Sequence, residues 1–152
     1  MREARRTAMN MISTRGRYAL RVMADLATHQ DEGYIPLKDI AARQEISEKY
    51  LESILKGLVQ NRMLVGIRGK GGGYRLPNPP ESYTVGSILR LTEGELAPVA
   101  CLESGAEACP RRDHCLTLPM WSKLNGMIQD FFDGITLADL IAADERNEAP
   151  AK

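Results

Sequence analysis

Residues 64–76 read LVGIRGKGGGYRL, two short apolar runs around a tip in which four of the five positions 69–73 are glycine. No helix survives there, because each interior glycine costs about 1 kcal/mol relative to alanine. A two-stranded hairpin, in contrast, uses glycine wherever its backbone turns left-handed. The pattern predicts strands over Leu64–Ile67 and Tyr74–Leu76, with Pro77, Pro79 and Pro80 closing the unit. The plain alternative is a flexible turn. A nucleotide-binding loop is excluded: Walker spacing and the following Ser or Thr are missing, and the glycines precede a strand rather than a helix.

Upstream, the apolar period is helical. Ser13 or Thr14 caps a first helix carrying Tyr18, Leu20, Val22, Met23, Leu26 and Ala27 on one face. It ends in the polar stretch His29–Gly33, and Tyr34-Ile35 form a short extended piece before Pro36. A second helix spans Leu37–Gln44, with Leu37, Ile40 and Ala41 inward. A third is capped by Ser47, has Glu48 in its first turn, and runs to about Asn61 with Leu51, Ile54, Leu55 and Leu58 on one stripe. Two helices joined by so short a turn have the geometry that lays the second across a DNA major groove. The turn lacks the usual glycine. Glu45 stands there, at some cost if it is left-handed.

The formal charge is zero, yet it is split. Residues 1–80 carry 14 Lys and Arg against 8 Asp and Glu, and residues 81–152 carry 6 against 12. From Ser53 to Pro80 there is no acid, while Lys56, Arg62, Arg68, Lys70 and Arg75 all fall inside. The front half therefore suits a polyanion. On the outer face of the third helix, Ser47, Lys49, Tyr50, Ser53 and Lys56 are candidates for base and phosphate contacts. Glu52 is a candidate discriminator, since a carboxylate is tolerated only opposite a cytosine amino group. Arg68, Gly69 and Lys70 on the hairpin tip suit a minor groove. The competing explanation is a solvated helix face. The paired helices followed by a basic hairpin weigh against it.

The back half predicts a fourth helix from Thr84 to Gly94, an irregular stretch over 95–117, a fifth helix from Pro119 to Gly134, and a short last helix through Leu137, Leu140 and Ile141. Expected organisation is a disordered extension at 1–10, a winged helix-turn-helix domain at 11–80, a linker helix and cysteine-bearing loop at 81–117, a dimerisation helix with a short C-terminal helix at 118–142, and a disordered tail at 143–152. The fold class is thus mainly α with a small β-hairpin wing. Trp121, Leu124, Ile128 and Phe131 form a stripe expected to pair with a second copy, the alternative being packing within its own chain. A homodimer then reads half-sites about one helical turn apart. No apolar run reaches membrane-spanning length and no signal peptide precedes the fold, so a cytoplasmic location without membrane attachment is expected. His29 and His114 are the only histidines, and no nucleophile–base arrangement accompanies them, so an enzyme is not expected.

Cys101, Cys109 and Cys115 fall in one segment, an odd number in a reducing compartment, which favours metal or redox use over disulfides. Three thiolates on one loop can wrap a soft metal centre, although the spacing is not that of a zinc ribbon and structural cysteines remain an alternative.

At this point the sequence resembles the iron–sulfur cluster regulator family of bacterial winged-helix repressors, which includes IscR, NsrR and CymR. The resemblance is carried by STRGRYALRVMADLA, by IPLKDIAARQEISEKYLESILKGLVQNRMLVGIRGKGGGYRL, by VGSILRLTEG, and by CLTLPMW followed by ITLADL. It covers residues 11 to about 142. It implies a homodimer on a pseudo-palindromic duplex operator, with Ser47, Tyr50 and Ser53 in the major groove and Arg68 with Gly69 in the minor groove. It also implies a two-iron or four-iron cluster on the three cysteines, sensing iron–sulfur status, redox state or nitric oxide. The fourth ligand does not carry over. The IscR-like histidine position is Leu118 and the NsrR-like aspartate position is Arg17. His114, Glu103 and Asp113 lie nearby, with His114 a weak candidate. The alternative is a member without a cluster, using redox thiols, zinc or a protein or small-molecule signal.

Overall fold

The computed structural model describes residues 11–148; the expected extension at 1–10 and the last four residues of the expected tail lie outside them. Helix α1 (Thr14–Thr28) begins at Ser13, whose hydroxyl accepts from the Gly16 N–H. It drives Ala19, Val22, Met23 and Leu26 into the core. Helix α2 (Leu37–Gln44) follows Pro36, and α3 (Glu48–Gln60) follows Ser47, whose hydroxyl accepts from the Tyr50 N–H. Leu51, Ile54, Leu55 and Leu58 of α3 are all buried, each stabilising the fold by about 1.5–3 kcal/mol. Glu45 is left-handed (φ 54, ψ 45), as the turn requires, and this brings the Ile46 N–H to the Ala41 carbonyl.

A buried carboxylate fixes the angle between α1 and α2. Asp25 receives both arms of the Arg43 guanidinium, at 2.9 and 2.7 Å, and the Gln44 amide at 3.1 Å. Without those donors an ionised Asp25 would not tolerate burial. The hydrogen bond to Asp25 in turn pushes the Arg43 guanidinium above its ordinary pKa. Arg21 donates to the Gln44 carbonyl and caps the end of α2.

Strands β1 (Val65–Ile67) and β2 (Gly73–Arg75) pair antiparallel, with Gly66 opposite Tyr74. The first is one residue shorter than expected and the second is shifted back by one, because Leu64 and Leu76 turn into the core instead. Ile35 adds a single antiparallel bridge to β2, exchanging two 2.9 Å backbone bonds with Tyr74. Gly73 permits this: a Cβ there would collide with the Ile35 carbonyl, and its φ is 151.

Helix α4 (Val85–Glu93) is capped by Thr84, and α5 (Leu118–Asp133) and α6 (Leu137–Glu148) complete the chain. Residues 95–117 hold only two short 3₁₀ turns, Ala100–Leu102 and Arg112–His114. Two features of the C-terminal half differ from expectation. Helix α6 does not group with α5 but joins the front half: Leu137 is fully buried in the main core, and its N–H bonds to the Tyr83 carbonyl. It also continues to Glu148, through residues expected to be a disordered tail. A reciprocal cap between Thr136 and Asp139 starts it, and Ala, Glu and Arg sustain it after the apolar pattern stops. The molecule therefore divides into a head (α1–α4, the hairpin and α6) and an arm (the cysteine loop and α5). No described helix is long and apolar enough to cross a membrane.

Candidate nucleic-acid interface and cysteine pocket

Helix α3 presents Lys49, Glu52, Ser53 and Lys56 as exposed side chains on one face. Ser47 is exposed too, but its hydroxyl is engaged as the helix cap. Tyr50 is half-buried, its ring edge-on to Tyr18 at 5.8 Å between centroids, with the Arg21 guanidinium over Tyr18. Tyr50 thus offers only part of its ring outward. Two residues not singled out from sequence complete the face. Arg15 of α1 reaches across to Ser53, donating to its hydroxyl at 3.0 Å and its carbonyl at 2.9 Å. Lys38 of α2 lines the cleft between α3 and the hairpin.

That cleft has a volume of about 800 Å³ and also takes in Glu52, Lys56, Arg68 and Gly69. Cations on both walls suit a passing phosphate backbone, and Glu48 and Glu52 leave room for discrimination within it. At the tip, Arg68 and Lys70 are exposed, and Gly69 (φ 92) turns the chain between them. Arg75 is different from the other cations of this stretch. Its guanidinium stacks on Tyr34 at 5.1 Å and serves the base of the hairpin.

Cys101, Cys109 and Cys115 border one small pocket of about 30 Å³, together with Arg112 and Leu118. All three are free thiols, the first two exposed and the third half-buried. The Thr117 hydroxyl, 3.4 Å away, holds the Cys115 thiol below its ordinary pKa, helped by backbone N–H groups and by the charge of Arg111. Leu118, which brings no donor atom, occupies the pocket wall, whereas His114 is exposed and Arg17 lies on α1. Among the described residues, no three His, Cys, Asp or Glu side chains converge on a point sized for a single ion.

Helix α5 buries no residue. Ile128, expected in the outward stripe, instead packs with Phe132 against Val85, Leu89 and Leu96 of its own chain. A two-armed ion pair between Arg90 and Asp133, at 2.7 and 2.9 Å, clamps that side and depresses the Asp133 pKa. The outward stripe is Met120, Leu124, Met127 and Phe131, with Trp121 half-buried beside it.

A helix pair with an exposed polar reading face, flanked by a cationic glycine-tipped hairpin, defines a winged-helix DNA-binding transcription regulator. The chain matches the family described as Rrf2, iron-dependent transcriptional regulator, over residues 12–143. It is 37% identical over 134 residues to the HTH-type transcriptional regulator IscR of Erwinia tasmaniensis, covering 88% of this chain and 80% of the relative. IscR of Serratia proteamaculans is 38% identical over 130 residues, covering 86% and 78%. Among solved structures, T. potens IscR superposes with a TM-score of 0.74 at 33% identity, covering 93% of each chain. CymR, the global cysteine regulator of B. subtilis, superposes with 0.73 at 36%, covering 89% of this chain and 98% of that one. The chain belongs to the Rrf2 family of transcriptional regulators.

Proposed function

We propose that two copies of this chain pair along α5 and grip a pseudo-palindromic duplex operator, and that an iron–sulfur cluster on Cys101, Cys109 and Cys115 sets their DNA-binding state. The observation that carries the sensing half is the meeting of three free thiols at one pocket beside Arg112. A cluster offers iron at several points, so thiols spread around a pocket suit it better than a lone zinc ion, whose ligands must converge. Arg112 offsets part of the negative charge that three thiolates bring. Leu118 contributes no ligand, leaving the fourth position to His114 or to a group from solution. When bound, the cluster supplies a centre sensitive to oxidants, nitric oxide and iron supply, of two or four irons.

At the DNA, Lys49, Ser53 and Lys56 of α3, with Ser47 and Tyr50 framing them and Glu52 discriminating, face the major groove. Arg68, Gly69 and Lys70 enter the minor groove. Anaerobic purification tests the cluster: iron and acid-labile sulfide in equal amounts with visible charge-transfer absorption are expected, and Cys115→Ser loses both without loss of helicity. A colourless wild-type protein that cannot be reconstituted with iron and sulfide rejects it. One observation favours a second reading, in which the thiols themselves are oxidised: the lowered pKa of Cys115 raises its thiolate fraction. Under that reading the colourless protein changes its operator affinity on treatment with peroxide and recovers it with dithiothreitol.

A further inference from the structure

The end of α4, from which the cysteine loop departs, is fastened to the start of α1. Glu93, the last residue of α4, accepts two hydrogen bonds from Ser13 on one carboxylate oxygen, from the backbone N–H at 3.0 Å and from the hydroxyl at 2.6 Å. The same Ser13 hydroxyl is the cap of α1, accepting from the Gly16 N–H at 3.1 Å. Glycine at 16 is what allows the approach, since a Cβ there would collide with the Glu93 carboxylate and stand 3.2 Å from the Thr92 hydroxyl. Just beyond Glu93, Gly94 (φ 79) ends α4, and the Glu95 carboxylate accepts from the Ser104 N–H at 3.0 Å. That bond fastens the start of the loop to the segment between Cys101 and Cys109.

On the other side of the cap, Arg15 holds Ser53 through its hydroxyl and its carbonyl. The guanidinium lies across α3 beside Gly57, one turn further along, where even a Cβ would be in ordinary contact at 3.7 Å. Three sets of polar contacts, Glu95 with Ser104, Glu93 with Ser13 and Arg15 with Ser53, are therefore joined by two short stretches of backbone, residues 93–95 and 13–15, into one route from the cysteine loop to the reading face.

We infer that the first turn of α1 transmits the state of the cysteine loop to the recognition helix, with Glu93 and Arg15 as positioning residues that set the orientation of Ser53. This rests on the reading of the loop as sensor and of Ser53 as a DNA contact. Arginine only donates, so Arg15 makes the Ser53 oxygen an acceptor on its inner side and leaves the hydroxyl hydrogen directed away. Held this way, Ser53 donates to the duplex. Its free hydrogen then favours the N7 or O6 of guanine, the N7 of adenine, the O4 of thymine or a phosphate oxygen over the amino groups of cytosine and adenine, for which one of its two acceptor sites is already taken. Released from Arg15, the hydroxyl rotates and loses that preference.

Hydrogen exchange of the full chain, read by mass spectrometry without any DNA, tests the link. N-ethylmaleimide on the free cysteines serves as the loop perturbation. In the wild type, modification is expected to raise exchange at least about threefold in the first turn of α1 and around Ser53. Arg15→Ala, an exchange at the surface of the head, keeps the response in α1 and loses it in α3. Glu93→Ala loses both, and Glu93→Gln, which keeps the accepting oxygen, retains both. Equal responses around Ser53 in wild type and Arg15→Ala overturn the proposal, as does a wild type in which α3 does not respond. A chain that binds no operator yet shows the expected pattern fails the functional reading and keeps the link. A chain that binds its operator without transmitting the perturbation loses the link alone.

Discussion

The head and the arm treat their apolar residues in opposite ways. In the head, α1 and α3 each bury a full stripe, and Leu137 of α6 closes the same core from the far end of the sequence. In the arm, α5 buries nothing completely, and Phe131, Met127 and Met120 stand 63%, 60% and 55% exposed in one line. Isolated exposed apolar residues are ordinary, but a continuous stripe along one helix marks a surface awaiting a partner. The cysteine loop beside it is equally open. The head is complete as a reading device, while the arm leaves an apolar stripe and three thiols uncovered, which the proposed function fills with a second chain and a bound centre.

Breaking the arm should have the largest effect on function and the smallest on the head. Phe131→Asp puts a charge in the middle of the stripe, so the chain is expected to run as a monomer in analytical ultracentrifugation. Losing the second head removes bivalent binding, and affinity for a duplex selected from a random pool by the wild type should fall about 100-fold or more. The melting of the head core should stay intact by circular dichroism. A variant that remains dimeric and binds normally would show that the stripe packs elsewhere.

Weakening the head should leave the arm untouched. Arg68→Ala removes one exposed cation from the wing tip, and operator affinity is expected to fall about 10- to 100-fold. Dimerisation and any cluster content should not change. The log–log slope of affinity against salt should become shallower by about 1 if Arg68 neutralises a phosphate. Unchanged affinity and slope would remove the wing from the interface.

What could be read from sequence follows this same division. Each head element is set by local signals: Ser47 before α3, Pro36 before α2, the glycine tip, and the buried stripe of α3 at helical spacing. Those signals act within one turn, so one sequence reveals them. The pairs that orient the elements are long-range and leave no local trace, as with Arg15 and Ser53, Ser13 and Glu93, or Asp25 and Arg43. Helix α5 shows a different limit. It has apolar residues on two sides, so periodicity reveals a helix but not which side faces its own chain. The expected stripe therefore includes Ile128, which packs inward, and omits Met120 and Met127, which stand outward with Leu124 and Phe131. In α6 the apolar pattern stops at Ile141 while helix-forming residues continue, so a pattern-based boundary falls short.

The smallest expected effect isolates the backbone of the head from everything else. Glu45 sits left-handed between α2 and α3, with φ 54 and ψ 45. A Cβ in that region costs about 1–2 kcal/mol, and replacing it with glycine relieves the strain while raising the freedom of the unfolded chain by about 0.5–1 kcal/mol. Glu45→Gly is therefore expected to stabilise the head by about 0.5–1 kcal/mol, a rise in Tm of about 2–4 °C at most for a chain of this size. The substitution also removes an exposed negative charge next to α3, so operator affinity should hold or rise slightly, and the oligomeric state should not move. Arg62, with φ 60 in the turn after α3, provides the control. Arg62→Gly should give a similar gain in Tm but lose a cation, so its affinity should hold or fall. If neither variant gains stability, the two left-handed positions carry no strain.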